Sequence, residues 1–577
     1  MNAALQYALY LAMLVALAWP LGSYMAKVMD GKRVFLTRIL RPCESGLYKL
    51  MRIDEGEDMG WKKYALCAVL FNLFGFLALW AMQMLQQALP LNPEAMPATS
   101  WHLGFNTAAS FMTNTNWQAY SGEVTLSYFT QMLGLGVQNF VSAATGIAVL
   151  FALIRGLRRV KEHGIGSFWT DMVRTVVYIL MPLSLVLALV QTSQGVIQNF
   201  GDHVEYQLVE PVETTLEDGS TVQVTEGYIP MGPASSQVAI KQLGTNGGGY
   251  NGLNSAHPLE NPSPLSNLGE MLALLLIPVG LCFTFGIAVR DKRQGLAIFL
   301  AMFIMLVVAL GCCAVAEQIG TPQLAQGGAV SAAANMEGKE TRFGIPASVT
   351  WATWTTAASN GSVNSMHDSY TPLGGMIPML LMQLGEVVFG GVGCGLYGII
   401  GFVILTVFIA GLMVGHTPEY LGKKIESREM KMAVLVCLAT PVACLIGAGL
   451  ACLLPATVNS LNNTGAHGFS EVLYAYSSGA GNNGSAFAGF NANTPFLNVS
   501  IGLVMIFVRF VPLLATLAIA GSMVEKKKIA ESAGTLSTPG GMFVFLLIVI
   551  VLLIGALSFF PALALGPVAD YTKMLGL

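Results

Sequence analysis

Four stretches of this chain carry residues suited to one kind of chemistry, the exchange of a cation's hydration water for fixed oxygens. The first runs Thr113-Asn114-Thr115-Asn116-Trp117-Gln118. The second runs Gly244-Thr245-Asn246-Gly247-Gly248-Gly249. The third runs Thr355-Thr356-Ala357-Ala358-Ser359-Asn360-Gly361-Ser362, and the fourth Gly479-Ala480-Gly481-Asn482-Asn483-Gly484-Ser485. Glycine and small polar residues let the backbone turn so that carbonyl oxygens approach and surround an ion. No Asp or Glu lies in any of the four clusters. Neutral dipoles suit a monovalent cation, whereas a divalent one recruits carboxylates. A single cluster of this kind reads more readily as a turn-rich surface loop. Four of them, recurring roughly every 115–130 residues, do not.

The elements that hold these clusters must sit in lipid. The 577 residues are 54% hydrophobic and 11% charged, where soluble domains average about 25% charged. The polar surface that a soluble chain of this length needs is missing. A cytosolic globular enzyme, a nucleic-acid binder and a disordered scaffold are all excluded. Runs of about 20 apolar residues, the length that spans a bilayer, occur near 4–26, 64–89, 128–154, 175–197, 268–289, 294–316, 376–415, 432–455, 496–523 and 540–565. The first lacks a basic leading segment and is too long for a signal peptide, so it reads as a retained helix. The seventh is long enough to be broken. The nine cysteines lie in apolar runs or basic segments, so no disulfide framework is expected. The seven histidines show no zinc-ligand spacing.

Lys and Arg fix the expected orientation. The segments 27–63, 155–174, 290–293, 423–431 and 526–528 hold 24 of the 29. The alternate segments hold almost none, as the positive-inside rule requires. Both termini and all four polar clusters are therefore expected outside. Each cluster lies in a long outer connection, after a short half-apolar stretch and before the next spanning run. The predicted fold is an all-α polytopic membrane protein of ten helices, with four helix–pore–helix repeats around a central ion path. One extra helix stands at each end. The predicted divisions are 1–63 (first helix and basic segment), repeats 64–165, 166–293, 294–428 and 429–528, and the final helix 529–577. The outer segment 198–235 reads as an acidic β-rich insert with a hairpin turn at Asp218-Gly219, a cap or a subunit contact.

Thr113–Gln118, Gly244–Tyr250 and the run Asn482-Asn483-Gly484-Ser485-Ala486-Phe487-Ala488-Gly489 resemble the loops of the KdpA family, as do Met366–Ser369 and Thr417–Lys424. This family supplies the potassium-binding subunit of the bacterial Kdp potassium-transporting ATPase. The resemblance spans essentially the whole chain. It implies a potassium filter made by Asn114, Thr115 and Asn116, by Thr245, Asn246 and Gly247, by Ser359, Asn360 and Gly361, and by Asn482, Asn483 and Gly484, with Gln118 at its mouth. Potassium is then the substrate, with no organic cofactor. ATP is used by a partner, a P-type catalytic subunit, and single-helix accessory subunits and membrane lipid complete the surroundings. The implied location is the bacterial inner membrane. The chain departs from the family pattern at Asn360, where cysteine can stand, and at His416, where arginine can.

Two charged positions inside apolar runs invite a role. Arg509 lies mid-helix, where its charge costs about 2.5–3.5 kcal/mol on insertion scales. On the inner half of an ion path it would oppose passive cation flow, whereas a structural pair or a snorkelling charge is the plainer reading. Glu386 precedes a glycine-dense stretch that includes Gly390, Gly391, Gly393 and Gly395. These glycines are expected to break the seventh helix, and the wider superfamily has a gating loop at this place. Close helix packing through Gly391 and Gly395 is the alternative. His367 and Asp368 read either as a hydrogen-bonding pair at the mouth or as a helix cap.

The chain has no Gly-x-x-x-x-Gly-Lys-Ser/Thr phosphate loop and no Asp-Lys-Thr-Gly phosphorylation motif; Asp291-Lys292-Arg293 is the nearest approach. ATP hydrolysis by this chain alone is therefore not expected. A stand-alone potassium channel or symporter of the same superfamily stays open as an alternative. A secondary transporter with inverted repeats would need clusters entering from both sides. A pure assembly subunit would leave four filter-like turns without a role.

Overall fold

In the computed structural model, residues 2–215, 220–322, 334–385, 387–415, 417–529 and 536–577 are described, with 414 described by its backbone alone. Glu386, His416 and the expected turn at Asp218-Gly219 lie outside these residues. Among the described residues ten helical spans are long and apolar enough to cross a membrane. With the shorter helices between them, the order is α1 Ala3–Met29, α2 Thr37–Met51, α3 Trp61–Ala88, α4 Trp101–Met112, α5 Thr130–Arg158, α6 Phe168–Ser193, α7 Ala234–Leu243 and α8 Pro264–Ala288. The second half follows as α9 Lys292–Ile319, α10 Gly344–Ala357, α11 Pro372–Gln383, α12 Cys394–Val414, α13 Ser427–Cys452, α14 Gly465–Ala480, α15 Pro495–Glu525 and α16 Gly541–Met574. Four times over, a spanning helix is followed by a short helix, a polar turn and another apolar run, which is one spanning helix in three repeats and is split into α11 and α12 in the third. The short helices are α4, α7, α10 and α14.

Burial separates centre from periphery. In its apolar window α5 is 89% buried, and α1 only 11%. In lipid an exposed apolar face costs nothing, so association relies on close backbone approach at small residues. Gly22 of α1 and Gly280 of α8 show this. A Cβ at Gly22 would come within 2.6 Å of the Gly280 carbonyl oxygen, and Thr284 Oγ1 donates to Gly22 O at 2.9 Å. The first apolar run is thus a packed structural helix.

The seventh apolar run is broken, as its glycines predict. Helix α11 ends at Gln383 and α12 starts at Cys394. In the connection between them Gly385, Phe389, Gly390 and Gly393 all have positive φ, from 62° to 85°, which no helix allows. The five basic segments converge at one end of the bundle, where Arg158, Arg293 and Lys528 line one cavity. Arg158 pairs with Asp30 at 2.9 Å, Arg174 with Glu44 at 3.2 Å, and Lys526 with Glu429 at 2.7 Å. Lys423 is fully buried there. Its ammonium donates to Gly156 O at 2.9 Å and Met523 O at 2.6 Å, joining the C-terminal ends of α5 and α15. The insert in the second repeat is an antiparallel hairpin of β1 Val204–Thr215 and β2 Thr221–Ile229.

Candidate ion-selective site

The four polar turns meet in one ring, and each has the same backbone plan. Asn114, Thr245, Ser359 and Asn482 follow the short helices with positive φ of 65°, 50°, 51° and 44°. Two residues on, Asn116, Gly247, Gly361 and Gly484 are again positive, at 54°, 84°, 94° and 103°. The residue between them donates its amide four times to an equivalent carbonyl: Thr115 to Ser110, Asn246 to Lys241, Asn360 to Thr355 and Asn483 to Ser478, all at 2.8–2.9 Å. Alternating left-handed residues in a tight turn keep successive carbonyls from lining up as they do in a helix, which frees them for a ligand.

Side chains close the ring from turn to turn. Asn114 Nδ2 donates to Gly244 O and Thr245 O at 3.1 and 3.0 Å, tying the first turn to the second. Asn360 Nδ2 reaches Lys241 O at 3.0 Å, third to second. Asn483 Nδ2 reaches Thr355 O at 2.9 Å, and Ser359 Oγ donates to Gly481 O, joining third and fourth. Asn482 Nδ2 donates to Thr115 Oγ1 at 2.9 Å and completes the circle. The glycines have a second reason to lack a side chain. A Cβ at Gly247 would collide with Asn360 O, at Gly361 with Asn483 O, and at Gly484 with Thr115 O. Every one of these oxygens belongs to the middle residue of another turn. The first repeat departs from this pattern, because Asn116 stands where the others have glycine. Its amide donates to Asn139 Oδ1 at 2.7 Å.

Helix α5 serves as a ruler for depth. Asn139 meets Asn116, and Ser142 donates to Asn114 Oδ1 at 2.8 Å while accepting from Asn246 Nδ2 at 3.1 Å. One helical turn further toward the basic end, a Cβ on Gly146 would meet Val392 O, Cys394 Sγ and Arg509 Nη2. Arg509 itself is buried, donating to Cys394 Sγ and, at 3.3 Å, to Ser142 O. The interhelical loop of the broken helix touches the turns from the same side. Val392 N donates to Thr245 Oγ1 at 3.0 Å and Gly390 N to Ala357 O at 2.8 Å. Gly391 accepts from Gly395 N at 3.1 Å, and Gly393 packs against the backbone of Gly146.

On the other side the ring opens into a cavity of about 570 Å³, which Asn116, Gln118, Gly361, His367, Gly484 and Phe487 help to line. Gln118 bridges the first two repeats by a two-way amide pair, giving Nε2 to Gly249 O at 3.0 Å and accepting Gly249 N at 2.9 Å. His367 is buried with Nδ1 against Tyr474 OH at 2.8 Å. Burial, aided by the nearby Lys339 charge, lowers its pKa to about 3, so the ring is neutral. Asp368 does not cap a helix. Thr371 caps α11, and Asp368 pairs with His467 at 2.8 Å.

Several supporting residues carry no signal in the sequence. Asn139 and Ser142 lie in an apolar run and become visible only once α5 packs on the turns. Lys241 of α7 is another. It is fully buried, paired with Glu260, and donates to Asn254 Oδ1 at 2.6 Å. Asn254 Nδ2 in turn donates to Gly247 O, so a buried ion pair holds that carbonyl's position.

Ten spanning helices, four short helices that end in inter-bonded polar turns, and a helix broken beneath those turns define a polytopic membrane protein of the pore-helix class. The family model described as "KdpA: Potassium-transporting ATPase A subunit" matches residues 8–572, and the chain belongs to this family. A "Potassium-transporting ATPase potassium-binding subunit" of Clostridium botulinum (strain Alaska E43 / Type E3) is 68% identical over 582 residues, covering 100% of both chains. The protein of the same description from Desulfovibrio desulfuricans is 61% identical and covers 99% of each. The crystal structure of the potassium transporter TrkH from Vibrio parahaemolyticus shares the fold, with a TM-score of 0.50 at 14% identity, covering 89% of this chain and 95% of that one.

Proposed function

We propose that this chain binds potassium in the ring of four turns and passes it inward, as the ion-conducting subunit of an ATP-driven uptake complex. The observation that carries the reading is the fourfold repetition of one carboxylate-free backbone plan, latched turn to turn. Twelve residues form the filter: Asn114–Asn116, Thr245–Gly247, Ser359–Gly361 and Asn482–Gly484. Their carbonyls replace water around the ion, and the inter-turn latches hold the spacing that distinguishes potassium from sodium. Gln118 fixes the mouth. The family and its named relatives support potassium as the cargo.

The broken third-repeat helix and Arg509 act one layer inward. Val392 and Gly390 press the loop against the turns, and Gly391 and Gly393 let it bend there. The guanidinium beside Ser142 O places a fixed positive charge under the ring, which raises the energy of a cation leaving inward. That role suits a subunit that must not leak. We place the chain in the bacterial inner membrane with both termini and the ring outside, supported by the convergence of five basic segments at the opposite end. The divisions 1–63, 64–165, 166–293, 294–428, 429–528 and 529–577 follow the repeat unit. Hydrolysis belongs to a P-type partner chain, with single-helix subunits and lipid beside it, and the hairpin 204–229 offers a contact on the outer side.

Two measurements test this. Copurification from native membranes should recover an ATPase chain whose hydrolysis potassium stimulates. Recovery of this chain alone, conducting potassium without ATP, would select a stand-alone channel or symporter. The isolated chain should release no phosphate from ATP.

A further inference from the structure

Beside the vestibule three carboxylates gather around one imidazole. His467, at the start of α14, meets Asp368 Oδ1 with Nε2 at 2.8 Å and Asp570 Oδ2 with Nδ1 at 2.9 Å. Glu471, one turn along α14 and fully buried, brings its carboxylate to the same place. The ligand atoms of Asp368, His467 and Glu471 all lie within 4.8 Å of one another. They come from the segment after the third turn and from the fourth short helix, and Asp570 belongs to the last helix.

Charge is out of balance here. Among the described residues no Lys or Arg side chain comes within ion-pair distance of Asp368, Glu471 or Asp570. Even a protonated His467 leaves a net charge of about −2 in a partly buried cluster. Such a site costs free energy unless a cation compensates it. Glu471 is held in place by hydrogen bonds from Asn462 N to Oε2 and from Asn463 N and Nδ2 to Oε1, at 2.8–2.9 Å.

We propose that Asp368, His467 and Glu471 form a site for one divalent transition-metal ion of the Zn²⁺ class. An imidazole nitrogen with two carboxylate oxygens is a donor set for such metals, and it differs in kind from the carbonyl ring that suits potassium. Asp570 supplies the carboxylate that orients the histidine through Nδ1, leaving Nε2 for the metal. On binding, the Nε2 proton leaves to solvent and the metal replaces it between nitrogen and carboxylate. His467 keeps a side-chain exposure of 23%, and with Asp570 it lines a small pocket beside Tyr370, Met376 and Phe487. The ion would staple the segment after the third turn to the fourth short helix, with Asp570 of the last helix tied in through His467. Phe487 stacks on His467 at 5.9 Å and on Tyr474 at 4.2 Å, and Tyr474 OH meets Ser485, next to Gly484.

The full chain, stripped with chelator and held in lipid nanodiscs, is titrated with Zn²⁺ and separately with Co²⁺. Zn²⁺ should raise the thermal midpoint with one ion per chain, and Co²⁺ should give visible d–d absorption of a histidine-ligated site. His467→Gln and Glu471→Gln should abolish both signals. Asp570→Asn should weaken binding by about 10–100-fold, as loss of an orienting carboxylate does. Should His467→Gln fail to fold, Asp368→Asn reads the same loss. Wild-type protein without either signal, or His467→Gln keeping both, would overturn the site.

Discussion

In the ring of turns every repeat contributes the same pair of left-handed residues and the same amide-to-carbonyl bond. One turn of α5 further in, that equality is gone. There, among the described residues, the third repeat alone breaks its helix, and the fourth supplies the buried charge of Arg509. The upper layer is neutral and held by reciprocal bonds between turns. The lower layer is asymmetric and carries a buried guanidinium. The contrast separates two tasks on our reading. Discrimination between ions needs equal oxygens at fixed spacing, and four copies of one turn give that. Control of passage needs one element that differs from its neighbours, and a repeat can diverge there without disturbing the ring above.

The strongest way to break this division is to damage the ring alone. Gly361→Ala puts a Cβ into Asn483 O and forces alanine to hold a φ of 94°. Backbone strain of this kind costs about 1–3 kcal/mol, so potassium-over-sodium selectivity should fall by about 5–150-fold. Rubidium uptake competed by sodium reads it, and undiminished selectivity in a folded variant would deny the ring its task. The lower layer is probed by Arg509→Gln. Removing a unit charge near the path should raise passive potassium flux into ATP-free vesicles by about tenfold, with selectivity intact. Equal leak in wild type and variant would assign Arg509 to packing.

Smaller effects sharpen the picture. Asn483→Ala removes one latch to Thr355 O, worth about 1 kcal/mol, and should weaken apparent potassium affinity by about fivefold. The same change at Asn360 should act alike, since its latch to Lys241 O is equivalent. Unequal responses would show that the four turns do not share the load. Gln118→Ala breaks the amide pair with Gly249 at a partly exposed mouth, and should shift potassium affinity by about two- to fivefold. An unchanged affinity would make Gln118 a bystander.

Composition and order of residues settled the membrane class, the ten spans, the four repeated turns and the break in the seventh run. These rest on local rules. Apolar length decides what crosses lipid, glycine decides where a helix cannot continue, and the spread of Lys and Arg sets the side. Packing alone decided the rest. Nothing in an apolar stretch marks Ser142 as the partner of Asn114, or Cys394 as the partner of Arg509, because their contacts span 28 and 115 residues. The histidines likewise show no metal spacing along the chain, yet folding sets His467 between Asp368 and Asp570, about a hundred residues away on either side. A hydrogen bond or a ligand set depends on distance in space, and only the tertiary fold turns sequence separation into that distance.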